Sequence, residues 1–116
     1  MKIDKLFVLS KNKMLLKAIE IACKNAKRDC FVIDDYIEGL HFIRDMRPTL
    51  VVIDIENAKE DALGLLSDIK DEFKIVILSK ESSEVEEFSS IPSVFYPINP
   101  TGLWDRLERE LGDTNG

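Results

Sequence analysis

The sequence predicts an α/β fold, a doubly wound five-stranded parallel sheet of order 2-1-3-4-5 in a three-layer sandwich. Three observations predict it. Apolar runs of strand length recur along the chain, and amphipathic stretches of helical length separate them. Two of the runs, Leu50 to Ile53 and Ile75 to Leu78, are apolar without interruption, as expected of strands covered on both faces. Right-handed crossovers then put helices on both sides of the sheet, and 2-1-3-4-5 is the common order at this size.

Residues 5–10, "KLFVLS", are the first expected strand, followed by a helix over 14–27 with Leu15, Ile19, Ala22 and Ala26 on one face. "CFVID" (30–34) is the second strand. Asp35 and Glu38 then have capping-box spacing ahead of a helix that carries Ile37, Leu40 and Ile43 and ends before Pro48. The third strand, within "PTLVVIDIEN", ends on Asp54, and Leu63, Leu66, Ile69 and Phe73 mark the helix after it. "KIVILS" (74–79) is the fourth strand.

The next stretch, "KESSEVEEFSSIP", has only Val85 and Phe88 as apolar anchors, so a helix of about two turns or less, or an irregular segment, is expected. "SVFYPI" (93–98) reads as an edge strand, because Pro97 has no N–H for the ladder. Asn99 and Pro100 suit the start of a last helix with Leu103, Trp104, Leu107 and Leu111 as its buried stripe. One domain over 1–111 and a disordered tail over 112–116 complete the expected organisation.

Composition narrows the function. A chain of 116 residues that is 45% apolar can bury roughly two-thirds of its unfolded surface without a metal or disulfide staple. It holds no apolar run of membrane-spanning length and no signal-peptide pattern at its start, so a cytoplasmic protein is expected. A net charge of −6 argues against a nucleic-acid surface. Cys23 and Cys30 lack zinc-site or CxxC spacing and read as small buried hydrophobes. His41, without a partner in the sequence, reads as a surface or packing residue.

In a doubly wound sheet, chemistry gathers at the carboxyl ends of the strands. That rule selects Ser10 and Lys11, Asp54 to Asn57, Ser79 and Lys80, and Tyr96 with Pro97. A buried strand that ends on a carboxylate at Asp54 is the strongest of these signals.

With "RPTLVVIDIE", Ser79 closing "IVILS", Asp61 at the start of the third helix and the Tyr96-Pro97 pair, residues 3–111 resemble the receiver domain of two-component response regulators, a flavodoxin-like, CheY-like fold. The resemblance implies a phosphoacceptor at Asp54, a metal-binding carbonyl at Glu56 and phosphate or switch-site positions at Ser79, Tyr96 and Pro97. It also implies an acidic pair after the first strand and a lysine at the end of the fifth; here those positions hold Ser10, Lys11 and Tyr96. By the same resemblance the Tyr96-Pro97 bond is expected to be cis.

Mg²⁺ requires hard oxygen ligands, and Asp54 facing a lysine is a poor seat for it, so metal binding is expected to be weak or absent and no other cofactor is implied. Lys11 and Lys80 are the candidate cation partners of Asp54. Phe88, Phe95, Tyr96 and Trp104 are the candidates for an interaction surface, with core packing the competing role of Trp104.

The expected function is a degenerate, non-enzymatic receiver-like module acting through phosphorylation-independent protein contacts. Its expected partners are a histidine kinase or a fused or separate effector, with a homodimer open, and neither nucleic acid nor membrane among them. The alternative is a phosphorylatable receiver that takes a phosphoryl group on Asp54 from a histidine kinase. A flavodoxin-like cofactor binder is disfavoured, because "SKNKM" lacks the Gly, Ser and Thr richness of a phosphate cradle.

Overall fold

The computed structural model describes residues 2–83 and 85–112. Strand and helix alternate as β1 (Lys5–Leu9), α1 (Lys13–Asn25), β2 (Asp29–Ile33), α2 (Tyr36–Met46), β3 (Leu50–Asp54), α3 (Lys59–Ile69), β4 (Ile75–Ser79), β5 (Ser93–Phe95) and α4 (Leu103–Gly112). All strands are parallel, in the predicted order β2-β1-β3-β4-β5. Helix α4 runs one residue past the expected domain end, and residues 113–116 of the expected tail lie outside the described residues.

Strand alternation divides the core into two layers. Leu6, Val8, Leu50, Val52, Val76, Leu78 and Val94 face one way and pack under α1 and α4. Phe7, Leu9, Val51, Ile53, Ile75 and Ile77 face the other way and pack under α2 and α3. Strands β3 and β4 are buried along their whole length, which explains their unbroken apolar sequence.

Side-chain caps define the starts of α1 and α2. Asn12 accepts the Leu15 N–H at 3.1 Å to open α1, and Asp35 accepts from Ile37 and Glu38 to open α2. Arg47 takes a left-handed conformation (φ 48°) at the end of α2, just before Pro48. The Tyr96-Pro97 peptide bond is cis.

Several helix faces differ from the expected ones. In α1, Leu15, Leu16, Ile19 and Cys23 are buried while Ala26 is exposed, so Cys23 belongs to the stripe. In α2, Tyr36, Gly39 and Ile43 face the core and Ile37 is 75% exposed. The reason is the close fit of Gly39 on β1: a Cβ there would meet Leu9 Cδ2 at 2.3 Å. Ala62 and Leu65 join Leu66 and Ile69 on the buried face of α3, where Leu63 was expected. Between β4 and β5 the irregular alternative holds, as two single 3₁₀ turns, Glu81–Ser83 and Glu86–Phe88. Strand β5 stops at Phe95, two residues before Pro97.

The two helical glycines should respond oppositely to alanine. Gly39→Ala forces Leu9, which is fully buried, off its packing and should cost about 1–3 kcal/mol in urea unfolding. Gly64→Ala adds its methyl in open space inside α3 and should stabilise by about 0.5–1 kcal/mol in the same assay.

Candidate functional site

The end of β3 presents Asp54 on the sheet face that α1 and α4 cover, two residues beyond Val52. Ser10 follows Val8 and Tyr96 follows Val94 with the same two-residue step, so all three side chains converge on one side of the sheet. The neighbouring strands are held in step there by the Ser10 N–H on the Ile33 carbonyl (3.2 Å) and the Tyr96 N–H on the Ser79 carbonyl (2.9 Å).

Asp54 has no exposed surface. Its Oδ2 accepts from the Ser10 hydroxyl at 2.7 Å and from the Tyr96 hydroxyl. Oδ1 accepts from the Glu56 N–H at 2.8 Å. The Ser10 oxygen in turn accepts from the Asn12 N–H at 3.0 Å, which fixes its hydroxyl toward the carboxylate. The Tyr36 hydroxyl donates to the Asp54 backbone carbonyl at 2.6 Å and closes the site from the α2 side.

Burial pushes the Asp54 carboxyl above its ordinary range, against the opposing pull of the Tyr96 and Ser10 hydroxyls and the Glu56 N–H; the nearby Glu56 charge raises it further. Burial and the Asp54 charge likewise push the Tyr96 and Tyr36 phenols up, so both remain protonated donors at neutral pH.

Lys11 and Lys80, expected as cation partners, do not pair with Asp54: no ion pair among the described residues includes it. Alternation explains the first case. Lys11 follows Leu9 onto the opposite face, where its ammonium lies 5.8 Å from the centre of the Tyr36 ring. Lys80 engages through its backbone instead, its N–H donating to Glu56 Oε2 at 3.1 Å while its side chain is exposed. The other Glu56 oxygen accepts from the Ser83 hydroxyl at 3.4 Å.

Ser79 also falls outside the cluster. It shares the face of Ile75 and Ile77, and its buried hydroxyl has no partner among the described residues. It lines a void of about 10 Å³ with Ile55, Leu63, Ile77, Val85, Phe88 and Ser93, room for about one water.

The expected aromatic surface does not form. Phe88 is 3% exposed and closes the core beside Ile77, because the two short turns after β4 fold it inward where a full helix would have covered the sheet. Trp104 is 7% exposed in the α1–α4 layer, under the Arg28 guanidinium at 5.2 Å. Phe95 is half-buried, and Tyr96 spends its hydroxyl on Asp54.

Tyr36 and Asn12 were missing from the sequence-based set. A tyrosine opening the helix after the second strand was the available signal, since that helix start borders the same end of the sheet.

The donor set does not fit Mg²⁺. Both Asp54 oxygens are taken by neutral donors, the Glu56 carboxylate is engaged by Lys80 and Ser83, and no three acidic, His or Cys side chains cluster among the described residues.

Fold and site together define a doubly wound α/β domain in which two hydroxyls and a peptide N–H surround a buried carboxylate at the end of β3. No protein-family model matches the sequence, and no curated relative matches it either. Among solved structures the fold is similar to the chemotaxis response regulator CheY4 of Vibrio cholerae, at TM-score 0.78 and 15% identity over 93% of this chain and 98% of that one. It is similar to the receiver domain of the Francisella response regulator 1452, at TM-score 0.76 and 21% identity over 96% and 98%. A de novo designed Rossmann 2x3 protein reaches TM-score 0.71 at 16% identity over 95% and 90%, so the likeness establishes the CheY-like architecture and leaves the chemistry to the site.

A buried acid of this kind couples stability to pH. The folded state holds the Asp54 proton more tightly than the unfolded chain, so its contribution to stability is greatest below the unfolded carboxylate range and declines as pH rises through the raised folded value. Asp54→Asn should remove that decline and gain on wild type as pH rises, as read from urea unfolding across the acidic range. Tyr96→Phe should cost about 1.5–3 kcal/mol at neutral pH and move the Asp54 carboxyl further up, as read from its ¹³C titration.

Proposed function

We propose that this chain is a degenerate receiver domain, a non-enzymatic signalling module that works through protein contacts without phosphorylation of Asp54. The reading rests on the occupied carboxylate. An acceptor aspartate must present a free oxygen to the phosphorus and share a cation that neutralises charge in transfer. Here Ser10, Tyr96 and the Glu56 N–H engage both oxygens, and the tyrosine stands at the position where the resemblance to receivers implies a lysine.

Engaged in this way, Asp54 acts as a strut. It ties β1, β3 and β5 together at the end of the sheet where active receivers change shape, so the surface built on those strands has one form. A protein partner or linked effector then reads a constant surface. The net charge of −6 disfavours direct nucleic-acid contact, and no helix among the described residues is long and apolar enough to cross a membrane. A cytoplasmic location belongs to the same proposal.

Incubation with a small-molecule acyl phosphate and Mg²⁺, followed by intact mass measurement, should give no added phosphate. Stoichiometric, metal-dependent labelling that vanishes in Asp54→Asn would refute the proposal and support a working phosphoacceptor. A double variant, Ser10→Asp with Tyr96→Lys, should bind Mg²⁺ measurably more tightly than wild type in calorimetric titration, since it places a second acid and a lysine beside Asp54.

A further inference from the structure

The two edges of the sheet are built differently. Strand β5 is three residues long and is followed by Pro97, which blunts it. Strand β2, "DCFVI", contains no proline and no lysine, and its apolar residues are only partly covered. Ile33 turns its carbonyl toward β1, so the alternation of a parallel ladder points the N–H and C=O of Cys30 and Val32 away from the sheet. Phe31 is 41% exposed, with Phe42 of α2 (47%) on its side of the strand and Ile21 of α1 (48%) on the other. Phe31 and Phe42 share the rim of a concavity of about 320 Å³ with Phe7, Ile33 and Met46.

Charge around this edge is polarised. The segment runs Lys27-Arg28-Asp29-Cys30-Phe31-Val32-Ile33-Asp34-Asp35, basic before the strand and acidic after it. A second copy laid parallel would stack like on like; an antiparallel copy would set basic against acidic at both ends.

From these features we infer that β2 is a homodimerisation edge: two copies pair antiparallel through it, related by a two-fold axis at Phe31, and join their sheets into one. Geometry selects that register. Pairs centred on Phe31 match Cys30 with Val32, both of which have outward N–H and C=O, and match Arg28 with Asp34 and Lys27 with Asp35. Shifting the centre by one residue toward Ile33 opposes Asp29 to Asp35, and shifting it toward Asp29 opposes Arg28 and Lys27 to Val32 and Ile33. The residues involved have competing contacts. Arg28 bridges to Asp105 (3.0 Å) and Glu108 (3.8 Å) within its own chain, and Asp34 meets Lys13 at 3.6 Å. The Lys13 side chain is 83% exposed and that pair is readily exchanged, while Arg28, stacked on Trp104, would keep its own-chain bridges and add Asp34 of the second copy only through its exposed third. Pairing through this edge requires nothing of Asp54 or of its phosphorylation.

Sedimentation equilibrium of the intact protein should show a concentration-dependent dimer, and Phe31→Lys, which places two ammonium groups on the axis, should return it to monomer with an unchanged circular dichroism spectrum. In a Cys23→Ala, Cys30→Ala background, Phe31→Cys should cross-link two copies on mild oxidation, because Cα atoms in a non-hydrogen-bonded antiparallel pair lie about 4.5 Å apart. Asp29→Cys in the same background should stay uncross-linked, its two copies lying about 13 Å apart along the strands. A protein monomeric up to about 1 mM overturns the inference and leaves the edge to a strand of another protein or to none. A dimer that survives Phe31→Lys, or that fails to cross-link at position 31, overturns it in favour of another surface. The cross-linking result decides the matter if Phe31→Lys does not fold.

Discussion

A carboxylate without exposed surface must be satisfied where it stands, and the way Asp54 is satisfied governs the site. Its oxygens accept from a serine hydroxyl, a tyrosine hydroxyl and one peptide N–H, all neutral, and each from a different part of the chain: Ser10 after β1, Tyr96 after β5, Glu56 in the loop beyond β3. Burial opposes the charge and the hydrogen bonds oppose burial, with burial prevailing. The donors that close the carboxylate also link the ends of three strands.

At the same end of the sheet, the described residues between β4 and β5 form two single 3₁₀ turns, and the packing changes accordingly. Two single turns carry Phe88 into the core, where it packs over Ile77 beside the unpartnered Ser79 hydroxyl. Apolar exposure moves instead to the opposite edge of the sheet, to Ile21, Phe31 and Phe42 around β2. The molecule thus separates a closed, polar strand-end site from an open, apolar sheet edge.

Strand placement was legible in the sequence because unbroken runs such as Leu50 to Ile53 mark strands covered on both faces, and the strand order was the common one for five βα units. Helix faces were less legible. Periodicity located the helices and the buried Ile43 but put Ile37 in the α2 stripe in place of Tyr36 and Gly39, since the close approach of Gly39 to Leu9 decides which side turns inward and a hydropathy pattern does not record a missing side chain. In the site, Asp54 and its strand-end neighbours were legible; their pairing was not. Lys11 and Lys80 attracted attention as opposite charges, yet Lys11 alternates onto the Tyr36 face and Lys80 binds Glu56 by its backbone.

By itself, the sequence determined the βα alternation, the apolar strands covered on both faces and the acid at the end of β3. Those are properties of composition and period along one chain. Tertiary structure alone decided that Ser10, Asp54 and Tyr96 meet while Ser79 and Lys11 turn away, because which face of a strand a residue occupies becomes a contact only when neighbouring strands fix their register.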